Sequence, residues 1–140
     1  EFSDTQVLSW FIRQRLRNGG NPLKHFRMDS WVQIIKEIIN IHRERDKNYQ
    51  MQLILLEVFN GKPQLLACSA LSDNSLRFMP YYGLFTGQRD NFSSICSSTV
   101  TDYFRDYHKS SKWDFQEIPN NCVVNLTPNG EFRFRKIYEE

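Results

Sequence analysis

A chain of 140 residues, 40% hydrophobic and 24% charged, has the length for one domain with its own core, and this composition excludes global disorder. Its 18 Lys/Arg and 16 Asp/Glu leave a formal charge of +2, too small to name a class of partner. Residues 1–47 hold nine basic against six acidic side chains and the remainder nine against ten, so the slight basic excess lies at the front without forming a polybasic tail. Cys68, Cys96 and Cys122 are odd in number and have no CxxC spacing, which argues against a disulfide framework or a thiolate metal site and fits a reducing, nuclear or cytoplasmic compartment. The two sequons, Asn91-Phe92-Ser93 and Asn125-Leu126-Thr127, weigh less than the cysteines, because such tripeptides recur by chance. No stretch has the form of a signal peptide, and no apolar run approaches the ~20 residues of a membrane span. The leading Glu1-Phe2 reads as a cloning remnant, and on that reading the chain is expected to be a domain cut from a longer parent.

Along the chain, residues 3–28 are expected to hold an N-terminal helix and loop, and residues 29–140 a β-rich body, all within one domain. Ser3-Asp4-Thr5-Gln6 has the form of a capping box, and Val7, Leu8, Phe11, Ile12 and Leu16 follow near a 3.6-residue period. A helix over about 4–17 is the result, closed by Gly19-Gly20, with Arg13, Arg15, Arg17 and Trp10 on its outer side. Residues 31–41 are ambiguous. Ser30 with Gln33 fits a helix cap, and Ile34, Ile35, Ile38 and Ile39 fit a helical stripe, yet Val and Ile favour strands. Tyr49 to Phe59 reads as a strand, Asn60-Gly61 as a hairpin turn and Gln64 to Leu71 as the returning strand. Ser72-Asp73-Asn74 is a turn, and Leu76 to Phe85 is strand or ordered loop. Ile95 to Tyr103 is a strand, or else residues 93–108 contain a helix with Val100, Phe104 and Tyr107 inward. Cys122 to Leu126 and Phe132 to Tyr138, joined through Pro128-Asn129-Gly130, form a second hairpin.

With Val32 to Ile41 taken as a strand, the order becomes helix, long strand, charged turn (His42 to Lys47), and a strand ending in Phe59-Asn60-Gly61-Lys62. This order resembles the OB-fold single-stranded DNA-binding domain of the protection-of-telomeres type, whose aromatic-Asp-Gly turn corresponds here to Phe59-Asn60-Gly61, with Asn in place of Asp. The resemblance covers residues 30–71. It implies a mainly β fold, a five-stranded OB-type antiparallel barrel with an N-terminal helix. It also implies a nuclear, telomeric function: non-catalytic binding of single-stranded DNA or RNA.

A barrel of this type binds through cations that neutralise phosphates and flat rings that stack on bases. On this reading the nucleic-acid-binding residues are Arg43, Arg45, Lys47, Tyr49, Lys62, Arg77, Phe78, Tyr81, Tyr82, Arg89, Arg133 and Arg135, with Phe85 near them. Arg133 and Arg135 alternate with Phe132 and Phe134, so a strand there carries a basic face over an apolar one. Tyr81-Tyr82, between Pro80 and Gly83, is the best stacking pair.

Catalytic, metal and cofactor readings find no support in the spacing. The three histidines, His25, His42 and His108, form no HExxH-type motif, Asp102 and Asp106 have Arg105 between them, and Gly19-Gly20 follows a helix instead of opening one. The competing expectation is an α+β protein-interaction module, with two N-terminal helices packed on an antiparallel sheet and residues 31–41 as the second helix. Its binding surface would be an edge strand or apolar groove facing a protein partner. A third reading, an enzyme fragment without its catalytic half, draws on nothing inside the chain. Neither the oligomeric state nor the choice between DNA and RNA is written in these patterns.

Overall fold

The computed structural model describes residues 3–18, 28–45, 48–59, 61–109 and 112–138. Two helices lead: α1 (Asp4–Asn18) and α2 (Met28–Arg45). The strands β1 (Gln50–Phe59) and β2 (Lys62–Leu71) form a hairpin. A 3₁₀ turn (Asp73–Phe78) and the single-turn α3 (Met79–Tyr82) lead into β3 (Leu84–Arg89), β4 (Phe92–Ser97) and α4 (Ser98–Tyr107). Three strands close the chain, β5 (Asp114–Glu117), β6 (Cys122–Leu126) and β7 (Phe132–Lys136).

These strands form two antiparallel sheets, one ordered β1-β2-β6-β7 and one ordered β4-β3-β5. The barrel expectation is therefore corrected: the fold is α+β, with no closed barrel among the described residues, and it matches the two-helix alternative. The reason lies in α2. Trp31, Ile34, Ile35, Ile38 and Ile39 are all buried, a set that recurs every three to four residues and shares a face only on a helix. As a strand, the same residues would fall on both faces, with Glu37 among Ile35 and Ile39. Tertiary burial overrides the strand preference of Ile. Asp29 in the first turn and His42, Arg43 and Arg45 in the last complement the helix dipole.

α1 opens as its sequence predicts. The Ser3 N–H donates to Gln6 Oε1 at 2.9 Å and the Gln6 N–H donates to Ser3 Oγ at 3.3 Å, a closed capping box. Its Leu8, Phe11 and Ile12 join the core that α2 forms with the sheet, and Arg15 reaches Glu37 of α2 at 2.7 Å. The Gly19-Gly20 stop lies outside the described residues.

Because strand side chains alternate, the four-stranded sheet has two faces. Leu66, Cys68, Ala70 and Val123, with Met51, Leu53 and Leu55, meet α2 and form the larger core. Ala67, Cys122 and Val124 face the other way and pack on Leu84 and Ile118 of the three-stranded sheet, with Ile95 and Phe132 at the margin. β2 is thus covered on both faces from Leu66 to Leu71. Its end is sealed by Asn120, whose side chain accepts from the Leu71 N–H at 2.8 Å and donates to the Leu71 carbonyl at 2.9 Å.

Further along, the structure resolves the open assignments. Leu76 to Phe85 is neither a strand nor a loop but 3₁₀ turn, α3 and the start of β3. The stretch 93–108 divides between β4 and α4 at Ser97-Ser98, and only Phe104 of its three expected inward residues is half-buried, whereas Val100 and Tyr107 are exposed. Phe104, Trp113 and Phe115 form an aromatic cluster on the second sheet, with Trp113 stacked on Phe115 at 5.7 Å. A Cβ on Gly87 would stand 2.7 Å from the Phe115 ring and 2.6 Å from Ser94 Oγ, so only glycine lets that ring cross the strand.

Ile35→Ala is expected to lower unfolding free energy by about 2–5 kcal/mol in urea melts, because the site is buried and walled by regular structure. Gly87→Ala should destabilise the chain and release Trp113 fluorescence from its packed state. A Gly87→Ala chain as stable as the parent would contradict the described packing of Phe115.

Candidate interaction surface

The residues expected to bind nucleic acid do not form one surface. Tyr49 is 5% exposed and belongs to the larger core. Its N–H donates to Ser72 Oγ at 3.2 Å, and its carbonyl accepts from the Ser72 N–H at 2.9 Å. Arg43 lies over the Tyr49 and Tyr138 rings, 5.2 and 5.4 Å from their centroids, so its guanidinium already has aromatic partners. Arg45 ends α2 exposed, and Lys62 starts β2 exposed. Lys47 lies outside the described residues.

Arg77, Phe78, Tyr81 and Tyr82 do come together, on the 3₁₀ turn and α3. Arg77 sits 4.7 Å over the Phe78 ring, and Phe78 meets Tyr82 edge-on at 6.3 Å. Tyr81 is 75% exposed, and its carbonyl accepts from Ser98 Oγ, which ties α3 to α4. Arg89 ends β3 beside Asp90, and Phe85 is half-buried on the same strand. Arg133 and Arg135 share the helix-side face of β7, where Arg135 pairs with Asp29 at 3.1 Å. Phe132 and Phe134 take the opposite face, as their alternation predicts, and Phe134 remains half exposed. Apart from Arg77, the described cations of this set therefore stand away from the exposed tyrosines, on α2, β2, β3 and β7.

Chemistry-bearing groups fare no better as a catalytic centre. Arg105 binds Asp102 at 3.1 Å and Asp106 at 3.0 Å, and His108 Nε2 lies 3.0 Å from the Tyr103 hydroxyl, all on the exposed side of α4. Among the described residues, no group of three or more His, Cys, Asp or Glu gathers to hold a metal. Burial pushes the thiols of Cys68, Cys96 and Cys122 above their ordinary value, so none is a ready nucleophile. Cys68 and Cys122 stand on paired strands but one residue out of register, facing opposite sides of the sheet, and all three thiols are free.

One concavity, about 600 Å³, lies beside β5, β6 and β7 and is lined by Gln116, Glu117, Asn121, Cys122, Phe134 and Lys136. Its charged groups are a single Lys and a single Glu, and no set of donors converges within it. A more distinctive surface lies at the other end of the first sheet. β1 is the edge strand, and no described element pairs with its outer side. Its residues Ile54, Leu56 and Val58 are 45%, 61% and 62% exposed, on the face that the second sheet covers over β2 and β6. Burial stops at Ala67, whose cross-strand partner is Ile54. The neighbouring hollow, about 410 Å³, is lined by Leu56, Pro63, Leu65, Phe92, Leu126 and Pro128, and Phe92 is 70% exposed. No described Lys or Arg lines it, and an apolar group of this kind is what interaction sites display.

The backbone of β1 adds a second property. Phe59 pairs with Lys62 across a two-residue turn, in which Gly61 takes φ +72°. The closing pair of such a hairpin exchanges both backbone bonds, and pairs alternate from there. Ile54, Leu56 and Val58 fall at the intervening positions, so their N–H and C=O groups point away from β2 toward the open edge. One row of residues thus offers both apolar side chains and unpaired backbone groups. Sequence reasoning gave Tyr49 to Phe59 as a strand but carried no signal of which side of it would be covered, because Leu53-Ile54-Leu55-Leu56 is apolar without alternation. Only the strand order places it at an edge.

Compared with known proteins, the chain matches no family model, no curated protein and no solved structure. Among the described residues, no helix is long and apolar enough to cross a membrane.

The raised thiols predict alkaline sensitivity. Below pH about 9 the thiols are neutral in both states and contribute nothing. Above it, Cys68 ionises in the unfolded chain but not in the folded one, so stability falls as pH rises. Cys68→Ala should flatten that loss between pH 9 and pH 11 in denaturant titrations. An unchanged slope would contradict the burial of this thiol.

Proposed function

We propose that this chain is a non-catalytic protein-interaction domain that recognises another polypeptide by adding an extended strand to β1. One observation carries the reading: Ile54, Leu56 and Val58 expose apolar side chains and outward backbone groups on the same ten-residue edge strand. Main-chain bonds along such an edge supply affinity, and alternate side-chain contacts supply selectivity. Natural sheets protect long edges with Lys, Pro or bulges. Between Gln50 and Phe59, β1 has one charged residue, Glu57, on the alternate set from Ile54, Leu56 and Val58, no Lys, Arg or Pro, and a pairing with β2 that runs without a bulge. An apolar edge kept in this form is explained by a partner that covers it. The preferred ligand is an extended segment with apolar residues at alternate positions, placed over Leu65 and Phe92.

The single-stranded nucleic-acid reading retains one favourable observation, the exposure of Tyr81 beside Arg77. Among the described residues, it lacks the nearby row of free cations that a phosphate backbone requires. Arg43 and Arg77 lie over aromatic rings, and Arg135 is paired.

Two experiments separate these readings. Peptides selected from a random displayed library on the native chain should be extended and apolar at alternate positions, and Leu56→Lys should weaken their binding about tenfold or more. Selected peptides that bind the Leu56→Lys chain equally well would place the site elsewhere. Titration with single-stranded oligonucleotides should give only weak binding that disappears at physiological salt. Sequence-dependent binding that survives such salt and is lost in Tyr81→Ala would favour the nucleic-acid reading instead.

A further inference from the structure

We infer that the strand added to β1 is the β1 strand of a second copy of this chain, paired antiparallel about a two-fold axis at Leu56. This inference rests on the strand-docking reading above and names the partner at that same edge.

The argument is one of register. In antiparallel pairs, directly opposite residues project on the same face. The outward backbone groups of β1 belong to its even-numbered residues, so only registers that set even residues against even residues form bonds. Every axis that passes through a residue meets this condition, and the side chains choose among them: an axis at Leu55 sets Gln52 opposite Val58 and Leu53 opposite Glu57, whereas an axis at Leu56 sets only apolar residues opposite one another on the exposed face. The axis at Leu56 pairs Leu56 with itself and Ile54 with Val58 of the second copy, twice over by symmetry. Each of these three pairs is of the type that exchanges two backbone bonds. The same register joins Ile54, Leu56 and Val58 of both copies into one apolar row of six side chains. Shifting the axis to Ile54 sets Gln52 opposite Leu56 and Gln50 opposite Val58, placing polar amides against the exposed apolar residues. Shifting it to Val58 runs the overlap off the end of the strand at Phe59.

Charge permits the pairing. The paired face offers Gln52, Ile54, Leu56 and Val58 and no ionised side chain, so a copy meets no like charge there. The two-fold axis stands perpendicular to the sheet, so both helix layers lie on one side and both smaller sheets on the other. The product is a continuous eight-stranded sheet in the order β7-β6-β2-β1-β1-β2-β6-β7. Its open edges are then β7 strands, which carry Arg133, Arg135 and Lys136 and so have the charged character that keeps edges from pairing further. The contact is isologous and closes at two copies.

The test uses sedimentation equilibrium of the whole chain together with disulfide trapping. The native chain should sediment as a dimer in the micromolar range. Leu56→Lys should weaken association by about a hundredfold or more, with an unchanged far-UV spectrum, because it sets two like charges opposite one another. In a Cys96→Ser background, Leu56→Cys should crosslink to itself under mild oxidation, since the Cα atoms of such a pair lie about 5.5 Å apart. Ile54→Cys alone should not, but it should crosslink when mixed with Val58→Cys.

A dimer that Leu56→Lys leaves intact, or self-crosslinking by Ile54→Cys in place of Leu56→Cys, would overturn the assigned register. A chain monomeric at all concentrations would overturn the second copy as occupant. If such a monomer still binds library-selected peptides in a Leu56-dependent way, the strand-docking reading stands and only its partner changes. If it binds none, both fail.

Discussion

The structure depends on β2 being buried on both of its faces. From Leu66 to Leu71 this strand is pressed between the isoleucine face of α2 on one side and the smaller sheet on the other. Such double burial fixes the registers of β1 and β6, since a slip of one residue would reverse which side chains meet the helix layer. It also sets the limits of the molecule. The helix layer reaches β1 through Met51, Leu53 and Leu55, but the second sheet ends over Ala67. β1 is therefore half covered, and its uncovered half is apolar.

That asymmetry leads from fold to function. A sheet face left bare by its own chain has three outcomes: polar residues, a charged edge or a partner. β7 takes the second, with Arg133 and Arg135 on one face and Lys136 on the other. β1 takes the first only at its start, with Gln50 and Gln52, and from Ile54 to Val58 its bare face is apolar. Its apolar row and its outward backbone groups coincide because both follow from the phase of one two-residue turn at the end of the strand. The same turn is legible in the sequence as Asn60-Gly61. Local turn chemistry thus decides which face of the edge is offered to a second chain.

Much of the local structure could be read from the residues. The capping box announced α1, and the Asn60-Gly61 and Pro128-Asn129-Gly130 turns announced both hairpins of the larger sheet. What could not be read was decided by distant contacts. The isoleucines from Ile34 to Ile41 prefer strands locally, and the burial of four of them, Ile34, Ile35, Ile38 and Ile39, in one core with Leu66, Cys68 and Val123 makes the segment a helix. Taking them as a strand produced the barrel expectation, which falls with that assignment. The division of 93–108 between β4 and α4 follows from pairing with β3, another long-range contact. The candidate site was hidden for the same reason. Tyr49 reads as an exposed ring at a strand end, yet its hydrogen bonds with Ser72, 23 residues away, draw it into the core. Ile54, Leu56 and Val58 look no different in the sequence from Leu53 and Leu55, and only strand order sets them at the rim.

The central claim is that β1 is an open edge in the single chain and a paired strand in the functional state. Residue-resolved amide hydrogen exchange, run across a range of protein concentrations, tests it most directly. The account predicts that the amides of Ile54, Leu56 and Val58 gain protection as concentration rises, while those of Leu53 and Leu55, already bonded to β2, do not change. Exchange at Ile54, Leu56 and Val58 that is fast at every concentration, with or without a bound peptide, would contradict it.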